Sequence, residues 1–179
     1  MNVNIKNIGI GKGNPPRVMG VLNISPESFF SDSFVPYERL VTRVEEMQNE
    51  GADIIDLGAR STALTAPRIS VEEEKTRVIT ALRELEGSGA VFSLDTMYPE
   101  VLEAALHYDI SAINDISGLS NERYAKVAAD SGLPVIGMTT HRIPGDPTNI
   151  TSTHEALVKI ISRAEQYGID QLILDPGIG

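Results

Sequence analysis

No cysteine occurs among the 179 residues, which removes a disulfide framework, a thiolate nucleophile and a zinc-thiolate site together. Histidine is nearly as scarce, with only His107, His141 and His154, too few for a multi-histidine metal centre. Positive charge is also short: 15 Lys and Arg against 25 Asp and Glu give a formal net charge of −10. A surface that binds a polyanion needs a basic field to displace counterions, so no nucleic-acid partner is expected. No apolar run reaches the length of a membrane span, and Met1-Asn2-Val3-Asn4-Ile5-Lys6 lacks the basic start and apolar core of a signal peptide. A cytoplasmic protein with no membrane partner is therefore expected. Low-complexity tracts and long internal repeats are missing too.

With 41% hydrophobic residues, the chain can build one substantial core and is too short to suggest two independent domains. Residues 1–17 read as a Gly-rich lead-in and 18–179 as one domain. Within it, short apolar runs alternate with helical periodicity. Val18 to Ile24 reads as a buried strand, and Tyr37 to Asn49 as a helix with apolar residues at 37, 40, 41, 44 and 47. Asp53 to Leu57 is the second strand, followed by a helix from Val71 to Glu86 with a Ser70/Glu73 capping pattern. Its apolar face is expected to carry Val71, the Lys75 stem, Val78, Ile79, Leu82 and Leu85. Val91 to Leu94, Ala112 to Ile116, Pro134 to Met138 and Gln171 to Leu174 are further strands. Helices are expected from Pro99, over Glu122 to Asp130, and over Thr153 to Tyr167 with Ser152 as the cap.

Strict alternation over six units points to a parallel sheet with right-handed crossovers. Two α/β architectures compete. Length favours a doubly wound sheet, since a (β/α)8 TIM barrel takes about 250 residues and eight strands. The position of the polar residues favours the barrel: Asn23, Asp56, Asp95, Asn114, the Thr139-Thr140-His141 run and Asp175 follow or end every strand. A doubly wound site draws mainly on the strands beside its switch point. On the barrel reading, about six βα units are present and two strands are missing.

Any one of these polar residues could simply cap a helix or brace a turn. Together, Asp56, Asp95, Asn114 and Asp175 form an acceptor-rich set at the ends of buried strands, where unpaired carboxylates are costly. A flat heterocycle with a guanidine-like N–H edge would satisfy such a set, because two parallel N–H groups match a carboxylate. A divalent metal would do so as well; Asn23 plus an Asp, completed by waters and phosphate oxygens, suits magnesium better than zinc. Gly9-Ile10-Gly11-Lys12-Gly13 precedes a strand rather than following one, and Pro176-Gly177-Ile178-Gly179 lacks dinucleotide-fingerprint spacing.

Five ordered blocks carry a resemblance: Met19-Gly20-Val21-Leu22-Asn23-Ile24-Ser25-Pro26-Glu27-Ser28-Phe29, Gly51-Ala52-Asp53-Ile54-Ile55-Asp56-Leu57-Gly58, Ser93-Leu94-Asp95-Thr96, Ile113-Asn114-Asp115-Ile116-Ser117-Gly118 and Leu174-Asp175-Pro176-Gly177-Ile178-Gly179. They resemble the dihydropteroate synthase family. The resemblance implies a (β/α)8 barrel that condenses 6-hydroxymethyl-dihydropterin pyrophosphate with an arylamine, ordinarily p-aminobenzoate, and releases pyrophosphate. It implies that Asp95, Asn114 and Asp175 hold the pterin ring, that Asn23 is tied to Mg2+ and pyrophosphate, that Asp56 lies near the reacting centre with Asp95, and that Thr62 contacts pyrophosphate. Met138 is carried over as a pocket residue.

Departures from the pattern are informative. The second block ordinarily continues Gly-Glu-Ser-Thr-Arg-Pro-Gly and here reads Gly58-Ala59-Arg60-Ser61-Thr62-Ala63-Leu64. Ala63 stands in place of the phosphate-facing arginine and Arg60 in place of the glutamate; Arg60 or Arg68 could supply the charge from elsewhere or be a solvated loop arginine. Met138-Thr139-Thr140-His141 replaces a Met-His-Met pattern, with His141 either lining the pocket or lying on a surface loop. The family's lysine after a seventh strand and Arg-x-His after an eighth do not fall within these residues, so an incomplete and inactive 179-residue product is expected, prone to dimerisation or poor solubility. A divergent branch using another arylamine fits the altered second block, and a barrel holding a reduced pterin for methyl transfer is the alternative function.

Overall fold

A computed structural model describes residues 2–27, 34–61, 66–140 and 149–178. A hairpin of β1 (Asn2–Ile5) and β2 (Ile8–Gly11) comes first. Strand β3 (Met19–Asn23) leads, through a 3-10 turn at Tyr37–Arg39, to α1 (Leu40–Asn49). There follow β4 (Ile54–Gly58), α2 (Val71–Glu84), β5 (Phe92–Asp95), α3 (Pro99–Ala105), β6 (Ile110–Asp115), α4 (Glu122–Ser131), β7 (Val135–Met138), α5 (Ile150–Tyr167) and β8 (Leu172–Asp175). No helix among the described residues is long and apolar enough to cross a membrane.

Strand order decides the architecture. The six strands β3 to β8 pair in parallel and in sequence order, with no reversal. A doubly wound sheet reverses its order at a switch point; a barrel winds in one direction throughout. The chain therefore forms six consecutive strands of a (β/α)8-type barrel wall, with five helices between them.

Alternation along each strand sorts its side chains to two faces. Leu22, Ile55, Leu57, Phe92, Leu94, Ile113 and Val135 point outward and pack with Leu40, Val44, Val78, Leu82, Val101, Leu102, Tyr124 and Ile160 of the helices. Each such side chain contributes roughly 1.5–3 kcal/mol on burial. The inward positions near the carboxyl ends of the strands carry Asn23, Asp56, Asp95, Asn114 and Asp175, while the helix layer buries most of the apolar surface.

The lead-in contains an element that its glycines disguised. Ile5, fully buried, clusters with Ile54 and Ala112, and Ile8, Ile10, Val91 and Ile173 pack around them. These residues lie near the starts of β4, β5, β6 and β8, so the hairpin plugs the N-terminal end of the sheet.

Four local expectations are corrected. Strand β3 is only partly buried: Leu22 is in the core, but Met19 and Val21, with Val18 just before them, are 38%, 69% and 57% exposed, because β3 and β8 are the two edges of the sheet. Val41, expected on the apolar face of α1, is exposed on the same flank. Helix α5 begins three residues early, at Ile150, because Asn149 rather than Ser152 caps it: Asn149 accepts the Ser152 N–H while Ser152 Oγ accepts the Asn149 N–H. On α2 the core-facing set includes Glu74, which is 1% exposed, in place of the expected Lys75 stem. The Ser70 cap stands as expected, accepting the Glu73 N–H at 3.1 Å.

Unpaired strand edges flanked by exposed apolar side chains pair readily with another chain. The 179-residue product is expected to self-associate, sedimenting as a dimer or larger at micromolar concentration. A stable, compact monomer in sedimentation velocity would contradict this.

Candidate active site

Strand register brings the polar residues together. Asn23 lies opposite Gly58, Gly58 opposite Asp95, and Asp95 opposite Asn114, making one tier near the carboxyl ends of four strands. Asp56 sits one tier deeper, opposite Val21 and Ser93. Met138 and Asp175 pair with each other one tier nearer the mouth, two residues beyond Ile136, which lies opposite Asn114. Gly58 permits the crowding, since a Cβ there would lie only 3.3 Å from Asp95 Oδ2. Five of the expected site residues, together with Met138, thus share one end of the sheet.

Asn114 Nδ2 donates to Asp56 Oδ2 at 2.9 Å, bridging β6 and β4. Ser93 stands beside Asp56, where its hydroxyl acts with the Asn114 amide in favouring the charged carboxylate, although no well-formed hydrogen bond joins Ser93 Oγ to Asp56 Oδ1. Burial pushes the Asp56 pKa up, with the Asn114 amide pulling the other way. Asp95 is raised further, well above the usual carboxylate range, by burial and then by the charges of Asp56, Glu74 and Asp115. A carboxyl so placed holds its proton to a higher pH than an exposed aspartic acid does. Neighbouring Asp115 serves the backbone instead. It accepts the N–H groups of Ser117 and Leu119 and braces the turn in which Leu119 takes a positive φ of 57°.

At the rim, bracing and availability coexist. Asp175 Oδ1 accepts the Gly177 N–H at 2.8 Å, and Asn23 Oδ1 accepts the Ser25 N–H at 3.0 Å. Both are turn-bracing bonds of the kind that short polar side chains make after strands; each uses one oxygen and holds the side chain at the mouth. Gly177, at φ 64°, could not carry a side chain, because a Cβ would lie 2.8 Å from Thr139 Oγ1. Thr139 in turn donates to the Pro176 carbonyl.

Arg60 lies just beyond β4, and its charge is drawn inward. Its Nε donates to Glu74 Oε2 and its guanidinium stacks on Tyr98, 4.8 Å from the ring centre. Thr96 Oγ1 donates to the other Glu74 oxygen at 2.6 Å, and Tyr124 donates to the Thr96 carbonyl at 2.7 Å. Arg60 Nη2 remains buried without a partner among the described residues. Glu74, Thr96 and Ser93 were not singled out from sequence. An arginine in a loop position where the resemblance expects glutamate was the available signal, since a buried guanidinium needs a nearby acid.

Thr62 and His141 lie outside the described residues, as does Ala63; Arg68 is exposed. No group of three or more His, Cys, Asp or Glu residues among those described could hold a metal by itself. The amide oxygen of Asn23 suits an ion that brings its own waters and phosphate oxygens, as magnesium does. A cleft of about 270 Å³ lined by Leu82, Gly87, Phe92 and Tyr108 lies at the other end of the sheet and holds no part of this cluster.

The geometry describes an acceptor-lined mouth at the carboxyl end of a parallel barrel wall, the end at which such folds place their sites. Residues 19–179 match the family model described as pterin binding enzyme. The chain belongs to the pterin-binding enzyme family. It is similar to dihydropteroate synthase of Escherichia coli strain K12, with 37% identity over 177 residues, covering 92% of this chain and 62% of that protein. The dihydropteroate synthase of Yersinia pestis, solved with a sulfonamide drug complex, superposes with a TM-score of 0.87 at 29% identity, over 100% of this chain and 69% of that one. That of Thermus thermophilus in complex with 6HMPPP gives 0.79 at 34% identity, over 100% and 66%. The chain thus spans about three fifths of the length of the E. coli relative.

In this pterin-binding family member, Asp95 stays protonated above the pH at which an unfolded aspartic acid ionises. The native state then binds more protons than the unfolded chain, and stability falls as pH rises through that interval. Asp95→Asn is expected to raise stability by about 1 kcal/mol at about pH 7 and to change little below about pH 3.5. Thermal melts at the two pH values decide it; a destabilised Asp95→Asn variant at neutral pH would contradict the electrostatic account.

Proposed function

We propose that the protein is a dihydropteroate synthase-type transferase that joins 6-hydroxymethyl-7,8-dihydropterin pyrophosphate to an arylamine in folate-like cofactor biosynthesis. The observation that carries this reading is the set Asp56, Asp95, Asn114 and Asp175, brought to one end of the sheet by strand register, with Asp95 crowded by like charges. A pterin's guanidine-like edge presents paired N–H donors to such acceptors, and its flat ring suits a mouth bounded by Met138. Asp95, Asn114 and Asp175 take the ring, and Asp56 with Asp95 faces the reacting methylene.

The reaction breaks the methylene–oxygen bond, the electron pair leaving with pyrophosphate. Positive charge develops on the pterin methylene, and the carboxylates below it offset that charge. The amine lone pair then forms the carbon–nitrogen bond, and the ammonium proton passes to solvent. An aromatic amine needs little activation, so holding the two partners in line is the larger contribution. A magnesium ion at Asn23 would neutralise phosphate charge; Thr62 is the protein donor assigned to phosphate oxygens, and Arg60, held inward by Glu74 with its Nη2 buried, reaches them only if its guanidinium turns outward. A cytoplasmic location and a homodimer complete the reading.

The full-length gene product, with magnesium, pterin pyrophosphate and p-aminobenzoate or another arylamine, is expected to give a pterin–arylamine adduct and pyrophosphate. Asn114→Ala and Asp175→Ala should each weaken pterin binding by about tenfold or more, the loss of a charge-assisted contact. Failure to form an adduct with any arylamine, or unchanged pterin affinity in both variants, would contradict the proposal. Tight binding of a methylated tetrahydropterin alone would favour a methyl-transfer barrel instead.

A further inference from the structure

Arg77 lies on α2, outside the carboxylate cluster, and its side chain is only 16% exposed. Its Nη1 donates to both oxygens of Glu27, at 2.7 and 2.9 Å, and to the Ala59 carbonyl at 3.3 Å; its Nη2 donates to Glu73 Oε1 at 2.6 Å. Glu27, with 12% exposure, belongs to the loop leaving β3. Ala59 is the first residue beyond β4 and opens the loop that carries Arg60 and Thr62. One guanidinium therefore ties the roots of two loops that leave adjacent strands at the functional end. A backbone bond from the Ile24 N–H to the Gly58 carbonyl, 2.9 Å, lies at the same junction.

Core packing does not require this arrangement. Helix α2 meets the sheet through Val78, Ala81 and Leu82, and an apolar side chain at position 77 could cover the same surface without the desolvation cost of a part-buried ion pair. Burial works against the Glu27 charge, yet the Arg77 hydrogen bond holds its carboxyl below the usual range. Both partners stay charged, and the planar guanidinium serves Glu27 and the Ala59 carbonyl through Nη1 and Glu73 through Nη2, a fixed spread of donors that a lysine ammonium does not reproduce.

We propose that Arg77 is a positioning residue that fixes the chain leaving β3 against the end of β4, so that Asn23 is held where the pyrophosphate group binds. This rests on the transferase reading above, and it predicts that Arg77 governs the phosphate half of the substrate rather than the ring half. Touching neither half, it acts through Glu27 and the Ala59 carbonyl.

The test compares Arg77→Met, Arg77→Lys and Glu27→Gln in the full-length gene product, titrated with 6-hydroxymethyl-dihydropterin and with its pyrophosphate. Arg77→Met is expected to weaken the pyrophosphate ligand about tenfold while the ring ligand stays within about twofold. Arg77→Lys and Glu27→Gln should shift in the same direction by less, and the reversed pair Glu27→Arg with Arg77→Glu should recover part of the loss. Equal weakening of both ligands, or no change in either, would overturn the proposal. If Arg77→Met does not fold, the Glu27→Gln result decides by the same criterion. If the unmodified protein binds neither ligand, the substrate reading fails and limited proteolysis judges the coupling alone. Faster cleavage in Arg77→Met within both 24–36 and 59–70 supports it, and cleavage unchanged in either overturns it.

Discussion

In-register parallel pairing is the constraint on which the rest of this structure depends. Because side chains alternate with period two, the register that sends Leu22, Leu57, Leu94 and Ile113 outward to the helices sends Asn23, Gly58, Asp95 and Asn114 inward at one tier. A slip of one residue in any strand would exchange the two sets, burying carboxylates under helices and baring leucines to the interior. The apolar core thereby specifies the polar site. The hairpin packs Ile5 against the opposite end, away from the polar tier.

Such a site is electrostatically loaded before any ligand arrives. Asp56, Asp95, Glu74 and Asp115 crowd a region poor in solvent, and the fold answers each in its own way. Glu74 is matched by Arg60 and Thr96, Asp115 by two backbone N–H groups, and Asp56 by the Asn114 amide. Asp95 is left facing the charges of the other three, and its pKa is pushed well above the carboxylate range. Binding affinity and native instability then have a common source: a ligand edge that donates to these oxygens relieves the repulsion that folding imposed.

Much of this was legible from the chain. Six strands alternating with five helices, the Ser70 cap and the convergence of Asn23, Asp56, Asp95, Asn114 and Asp175 follow from periodicity and from polar residues placed after apolar runs. What escaped was non-local. Ile5, Ile8 and Ile10 lie among glycines that read as loop, and only the tertiary fit beneath Ile54 gives them a role. Glu74 occupies a helix position where packing alone would put an aliphatic stem; its partner Arg60 lies 14 residues earlier. Arg77 joins Glu27 across 50 residues, a spacing no local pattern encodes. The exposure of β3 escaped for another reason: its sequence is that of an interior strand, while its place at the sheet edge is a property of the whole wall.

The central claim is that protonated carboxyls at the mouth give up a proton when they accept the ligand's N–H edge. Isothermal titration of the full-length gene product with 6-hydroxymethyl-dihydropterin pyrophosphate, at about pH 6 in buffers of different ionisation enthalpy, measures this directly. The account predicts release of up to about one proton per ligand bound, abolished in Asp95→Asn. Tight binding with no proton exchange, or release unchanged in Asp95→Asn, would contradict it.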